Sequence, residues 1–447
     1  MYKQNLQVSA HPSNLLKGGL RLYKGFFATS TLLVSIFVIA VPVAFGQSKD
    51  QIAPTLTTAQ RGFTEFPPHG RSGSIMPIAA GSGTPKQGQF DSIRTFNGAF
   101  QTPGFGPRGH PRYHWFYTIA GGRPQDGGTT RFDAPIIPVS VDLLDWDKSV
   151  RVVKGHKLHY SVKPFIDPVL NSPVFQNFDY TSSDVPTQFA DAVQRASFYG
   201  VMQQDWHTVL RPSIKTERTM AIPRGSYRFA LQKDGSCCAF VLVDISVFSK
   251  LLFPSSAKDQ RTPVGAAEHA GEITTRSIAT FLFPNTYLYA KGDPSICCVL
   301  GFHSYDFEPG DAHNGFLEKR YVLTFASWVS PGIFGPEFQD ITALSHEIGE
   351  TLNDPFVVSD GTHGLTPWWY SLNGHCQDDL EIADAIEGLD EATFPIKMHG
   401  RTYHPQNEAL LPWFEFQSPS TAIAGAYSYP NETLLTTLSP TLSVGCQ

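Results

Sequence analysis

The stretch from Tyr321 to Asn353 constrains this chain most. It holds a β-branched and aromatic run (YVLTFASWV), a Gly/Pro loop (SPGIFGPEFQ) and a helical segment carrying HEIGE. From Asp340 to Asn353 the apolar residues Ile341, Leu344, Ile348 and Leu352 recur at helical period and gather on one face. Asp340 stands where an N-cap belongs, and Pro355 stops the helix. His346, Glu347 and Glu350 fall on the opposite face. Only small side chains, Ala343 and Gly349, lie between them, which leaves room for an ion or a second element to approach.

That polar trio is where a chemical activity can be argued. His346 and Glu350 sit one turn apart with Glu347 beside them, as on the H-E-x-x-H helix of zinc hydrolases, except that the second histidine is replaced by Glu350. A zinc ion held for catalysis takes three side chains and a water, so His346 and Glu350 need a partner from another segment. The acidic stretch DDLEIADAIEGLDEA offers Glu381 and Asp384 as that third ligand. If helical, it carries Glu381, Asp384 and Glu387 on one stripe opposite Ile382, Ile386 and Leu389. If extended, Glu381 and Asp384 point to opposite faces and only one can bind. A solvated acidic helix is the plain alternative.

HEIGETLNDP followed by EIAD resembles the HEIAE and EIGD elements of the plant EXORDIUM, or phosphate-induced, proteins and of their secreted bacterial relatives, over about Ile341 to Gly388. His346, Glu347, Glu350, Glu381 and Asp384 stand at the matching positions. The wider pattern is similar to the metallopeptidase helix of zincins. Family members place a cysteine shortly after EIGD; here Ala385 and Ile386 stand there, and the nearest cysteine, Cys376, lies upstream. The resemblance implies a secreted, wall-associated protein with a metal-site domain and does not fix a reaction.

A chain of 447 residues with 13% aromatic and 17% charged residues has the material for a large core. Its net charge of -6 and the lack of a basic cluster interleaved with aromatics exclude nucleic acid as a partner. Phe26 to Phe45 is an apolar run preceded by Lys17, Arg21 and Lys24 and followed by polar GQSKD, with the small residues Ala44 and Gly46 before Gln47, the order of a secretory signal or N-terminal anchor over 1–46. A membrane is expected to be involved only there. Residues 47–108, rich in Gly, Pro and Ser, read as a flexible spacer. The folded domain is expected over 109–447, with a possible subdivision near 300. In an exported protein the six cysteines are expected to form disulfides. Neighbours on a strand face opposite ways, so Cys237–Cys238 and Cys297–Cys298 are expected to bridge two adjacent strands, one bond per face.

Ala134 to Leu144 reads as a buried strand in which Pro138 argues for an edge or bulge, and Ala239 to Ser246 as another. Thr187 onward and Ala266 onward carry helical spacing, the first burying Phe189, Ala192, Val193 and Ala196. Strands and helices mix without strict alternation. The expected fold is α+β: a zincin-like metallohydrolase domain with a mixed sheet and an active-site helix. His269 and His303 read as structural histidines. Pro367, Trp368, Trp369 and Tyr370 are either a packed loop or a substrate wall. The leading expectation is a secreted zinc peptidase, with Mn or Fe as other possible ions, in which His346, Glu350 and Glu381 or Asp384 hold the metal and Glu347 is the general base. Its partner is a peptide or protein substrate. The rival is a non-catalytic exported protein that binds a cell-wall polymer or another partner through a degenerate site.

Overall fold

A computed structural model describes residues 50–51, 69–70, 90–103, 112–182, 184–336, 338–357, 369–370, 376–377, 380–436 and 438. The apolar run Phe26 to Phe45 lies outside these, as do Pro367 and Trp368; Trp369–Tyr370 pairs with Cys376–Gln377 in a short antiparallel ladder. No helix among the described residues is long and apolar enough to cross a membrane.

The architecture is mixed α+β, built on a large sheet with many parallel pairs. Its path runs Gly301–Glu308, Glu318–Trp328, Ile278–Pro284, Thr129–Leu143, Arg218–Ile222. Ile278–Pro284 is parallel to both of its neighbours, and Gly301–Glu308 is antiparallel to Glu318–Trp328. Thr129–Leu143 is central, not an edge, in spite of Pro138. Its first half pairs with His207–Ile214, ending at Ile136, and its second half pairs with Arg218–Ile222 from Val139 onward. The proline falls in the handover between two partners, where the ladder is already interrupted.

Other expectations shift for identifiable reasons. Order begins upstream of 109, because Thr95–Pro103 pairs antiparallel with Arg112–Ala120, and Phe96 packs edge-on against Phe198 and Trp206. Gly and Pro around FNGAFQTP conceal that strand from a reading by composition. The helix expected from Ala266 covers only Pro263–His269, and the residues SIATFLF enter the sheet as Ile278–Pro284. The helix after Thr187 forms as Phe189–Ser197 with Phe189, Ala192, Val193 and Ala196 buried.

The cysteines pair differently from the expectation. A second sheet runs Tyr227–Leu231, Cys237–Asp244, Thr286–Tyr289, Cys297–Val299, so one whole strand separates the two cysteine strands. Each of these four cysteines bonds its own neighbour, Cys237 to Cys238 and Cys297 to Cys298; Cys446 lies outside the described residues.

The HEIGE helix, Thr342–Asn353, lies across Gly301–Glu308 and Glu318–Trp328. Ile341, Leu344, Ile348 and Leu352 enter a core with Val322, Ala326, Tyr305 and Phe307. Each contributes roughly 1.5–3 kcal/mol through burial. Asp340 does not cap it. With φ of +48° it turns its carboxylate to the backbone N–H of Ile341 and to both the N–H and Nδ1 of His404. The helix ends at Asn353, one residue before the position that Pro355 restricts.

Candidate metal centre

All twelve residues of the HEIGE helix are buried, the polar face included. That face is covered by three other elements. The first is the strand Gly301–Glu308, in which Gly301, His303, Tyr305 and Phe307 alternate onto the side facing the helix. A Cβ at Gly301 would lie 2.6 Å from Glu347 Cγ, so glycine there makes space for the Glu347 side chain. His303 follows, only 4% exposed, with Nδ1 at 3.5 Å from Glu347 Oε2, 3.6 Å from Glu350 Oε2 and 3.9 Å from Glu381 Oε2.

The acidic stretch is the second cover. It is neither a regular helix nor extended but a succession of tight turns, with Ile386 and Glu387 N–H groups both donating to Ala383 O. The division of faces survives. Ile382, Ala385 and Ile386 enter the core beside Phe189 and Trp413, while Glu381, Asp384 and Glu387 are buried on the side of the helix. Glu350 pins the turn, because its Oε1 accepts from the backbone N–H of Ala383 and of Asp384 at 3.1 and 3.2 Å. Its Oε2 remains directed at the imidazoles. Both Glu381 and Asp384 therefore reach the cluster, instead of one alone.

The third cover is the segment from Tyr403 to Ala409, which runs along the helix. Thr342 Oγ1 donates to His404 O, Ser345 Oγ accepts from Gln406 N–H, and Glu408 packs where a Cβ on Gly349 would be only 2.0 Å from its Oε1. Gln406 is fully buried and its role is specific. Its Nε2 donates to Ala383 O at 2.7 Å, and a carbonyl can only accept, so Oε1 is turned to His346 Nδ1 at 3.2 Å. Nδ1 must then carry the hydrogen. Nε2 is thereby directed at Glu350 Oε2 and Asp384 Oδ1, each 3.2 Å away. An imidazole lone pair facing two carboxylate oxygens is repulsive, and only a cation between them, a proton or a metal ion, makes the arrangement favourable.

The electrostatics agree with that geometry. Burial works against charge on His346, but Glu350, Glu347 and Asp384 outweigh it and hold its pKa well above the usual value. For His303 the same contest, against Glu347 and Glu350, ends at about 10. Burial pushes Glu347 up to about 7, whereas the two histidines overcome burial at Glu350 and hold it below the ordinary carboxylate range. Burial also lifts Asp354 to about 7 and Glu408 well above the ordinary range.

Two donors on one zinc ion, each about 2.1 Å from it at a tetrahedral angle, are about 3.4 Å apart. His346 Nε2 stands near that spacing, 3.2 Å, from Glu350 Oε2 and from Asp384 Oδ1, so the imidazole with a carboxylate on either side fits a divalent cation. Three sets of donor atoms lie within 4.8 Å of one another: His346, Glu347, Glu350; His346, Asp384, Glu387; and His303, Glu350, Glu381. The fold thus brings together every residue expected at the site, His346, Glu347, Glu350, Glu381 and Asp384. It adds His303, Glu387 and Gln406. The signal for His303 is the alternation in GFHSYDFE, which puts it in phase with Tyr305 and Phe307; nothing local marks Gln406. His269 ends the Pro263–His269 helix and belongs to none of these sets. A separate cleft of about 410 Å³, lined by Phe96, Asn97, Tyr117, Arg123 and Phe198 among others, shares no residue with the cluster.

Comparison with protein-family models, curated proteins and solved structures gives no match to this chain.

Proposed function

We propose that this protein is an exported, metal-dependent hydrolase of zincin-like chemistry that cleaves peptide bonds, with His346, Glu350 and Asp384 as metal ligands and Glu347 as general base. The observation that carries the reading is the chain Ala383 O, Gln406, His346, which directs Nε2 at two carboxylate oxygens. Zinc suits the donors, and their carboxylate-rich character also suits Mn or Fe. The ion would supply Lewis acidity to a substrate carbonyl and to a water. Glu347 has one oxygen at 3.5 Å from His303 and the other at 3.9 Å from His346, so it stands over the same space as the ligands. From that position its carboxylate can take a proton from the attacking water. It then passes that proton to the leaving amine as the new carbon–oxygen bond forms and the carbon–nitrogen bond breaks. The resemblance to EXORDIUM-type sequences and the apolar run Phe26 to Phe45 support export.

One observation favours a second reading. Every residue of the cluster is buried, at 6% exposure or less, and closed metal sites are typically structural. On that reading the protein is an exported wall-polymer or partner binder whose ion locks the HEIGE helix to the acidic turn.

Purified full chain should contain tightly bound metal, and His346→Ala should lose the ion held by His346. A correctly folded wild type without metal sinks both readings. Cleavage of a peptide library that a chelator abolishes, and that Glu347→Gln abolishes with metal retained, separates the hydrolase from the structural site.

A further inference from the structure

We infer that the cluster holds two divalent cations, bridged by the carboxylate of Glu350, the second taken by His303, Glu350 and Glu381. This rests on the metal-site reading above and extends it from one ion to two.

The argument starts from Glu350 Oε2. It lies 3.2 Å from His346 Nε2 and 3.6 Å from His303 Nδ1, between two imidazoles that arrive from different elements. Its other oxygen is occupied by the backbone N–H groups of Ala383 and Asp384, so the carboxylate is fixed with Oε2 toward both histidines. One tetrahedral ion uses three protein donors. Glu350 belongs to a donor set with His346 and to another with His303 and Glu381, while His346 is also grouped with Asp384 and Glu387, so the donors exceed what one ion takes.

His303 is the independent observation. It is 4% exposed, and its Nε2 has no hydrogen-bond partner among the described residues. Its Nδ1 is aimed into three carboxylates at 3.5, 3.6 and 3.9 Å. Those separations are long for a hydrogen bond to a charged group, which is usually about 2.7–2.9 Å. They fall within the range of roughly 3 to 4.2 Å that two donors span across one ion. A buried imidazole aimed at three carboxylates at these separations is spaced for a cation in between. A carboxylate shared between adjacent ions is also a means by which two-metal sites hold both ions on one substrate.

The test is metal content and coupling in the full chain. Loaded with Mn(II) and freed of excess ion, the wild type should bind about two ions per chain and show the exchange-coupled electron paramagnetic resonance signal of a bridged pair. Glu381→Gln and His303→Gln should each fall to about one ion per chain, with the spectrum of an isolated ion and unchanged circular dichroism. One ion per chain in the wild type, with an uncoupled signal, overturns the second site and leaves the single-metal reading intact. No bound ion overturns both. Should either variant fail to fold, the wild-type stoichiometry and coupling still decide.

Discussion

Two buried histidine–carboxylate groups in this molecule are built on opposite principles. Asp191, fully buried in the Phe189–Ser197 helix, receives Thr187 Oγ1 and His207 Nδ1 on one oxygen, both at 2.7 Å, and the N–H of Thr208 on the other. Donors meet acceptors and the group is complete within itself. Around the HEIGE helix, two imidazoles face Glu347, Glu350, Glu381, Asp384 and Glu387, and Gln406 turns Nε2 of His346 toward carboxylate oxygens. The difference teaches how to separate a structural polar cluster from a ligand site when both are buried. What matters is whether each acceptor faces a donor, since unmatched burial costs several kcal/mol per charge.

The comparison can be broken most forcefully by removing Asp191. Asp191→Ala leaves the buried Thr187 hydroxyl and Thr208 N–H, and the half-buried His207, without their acceptor and should cost about 3 kcal/mol of stability. Metal content should not change; urea denaturation and metal analysis of the same sample check both halves. If metal content fell with stability, the two clusters would not be independent.

A smaller effect sharpens the metal side. Gly301→Ala puts a methyl 2.6 Å from Glu347 Cγ and 2.7 Å from its Oε1. The overlap should cost about 1–3 kcal/mol and displace Glu347; on the proposed function, it lowers kcat for peptide hydrolysis while metal content is unchanged. Loss of metal in parallel with kcat would assign Glu347 to the ligand set instead.

A further effect, confined to pH dependence, comes from a carboxylate outside both clusters. Burial raises Glu415 to about 7. Its folded pKa thus lies above the unfolded value of roughly 4.3. The native state holds the proton more tightly, so the stability it contributes is present below about pH 4.3 and is lost as pH rises through about 7. Glu415→Gln should flatten the stability profile across that window, measured as denaturation midpoints at a series of pH values. An unchanged slope would show that Glu415 does not contribute to the pH dependence.

Some of this was legible in particular residues. Ile341, Leu344, Ile348 and Leu352 announced the buried stripe of the helix, and Ile382 and Ile386 against Glu381, Asp384 and Glu387 announced the two faces of the acidic turn, because periodic burial leaves a local trace. Legibility failed where a residue's role depends on what lies across from it. His303 reads as one polar residue in a strand until the helix is laid over that face. Pro138 reads as an edge residue until two successive partner strands are known.

The sequence by itself determined the HEIGE helix, its apolar stripe, its termination before Pro355 and the mixed α+β character, since these follow from side-chain spacing and backbone restriction within a few residues. Tertiary structure alone decided that each cysteine pair closes on itself, that Glu381 and Asp384 both reach His346 and Glu350, and that Gln406 sets the tautomer of His346. The site outcomes are distances between residues up to 60 positions apart. They are fixed by which strand lies between which, and by which hydrogen-bond donor meets which acceptor once the chain is packed.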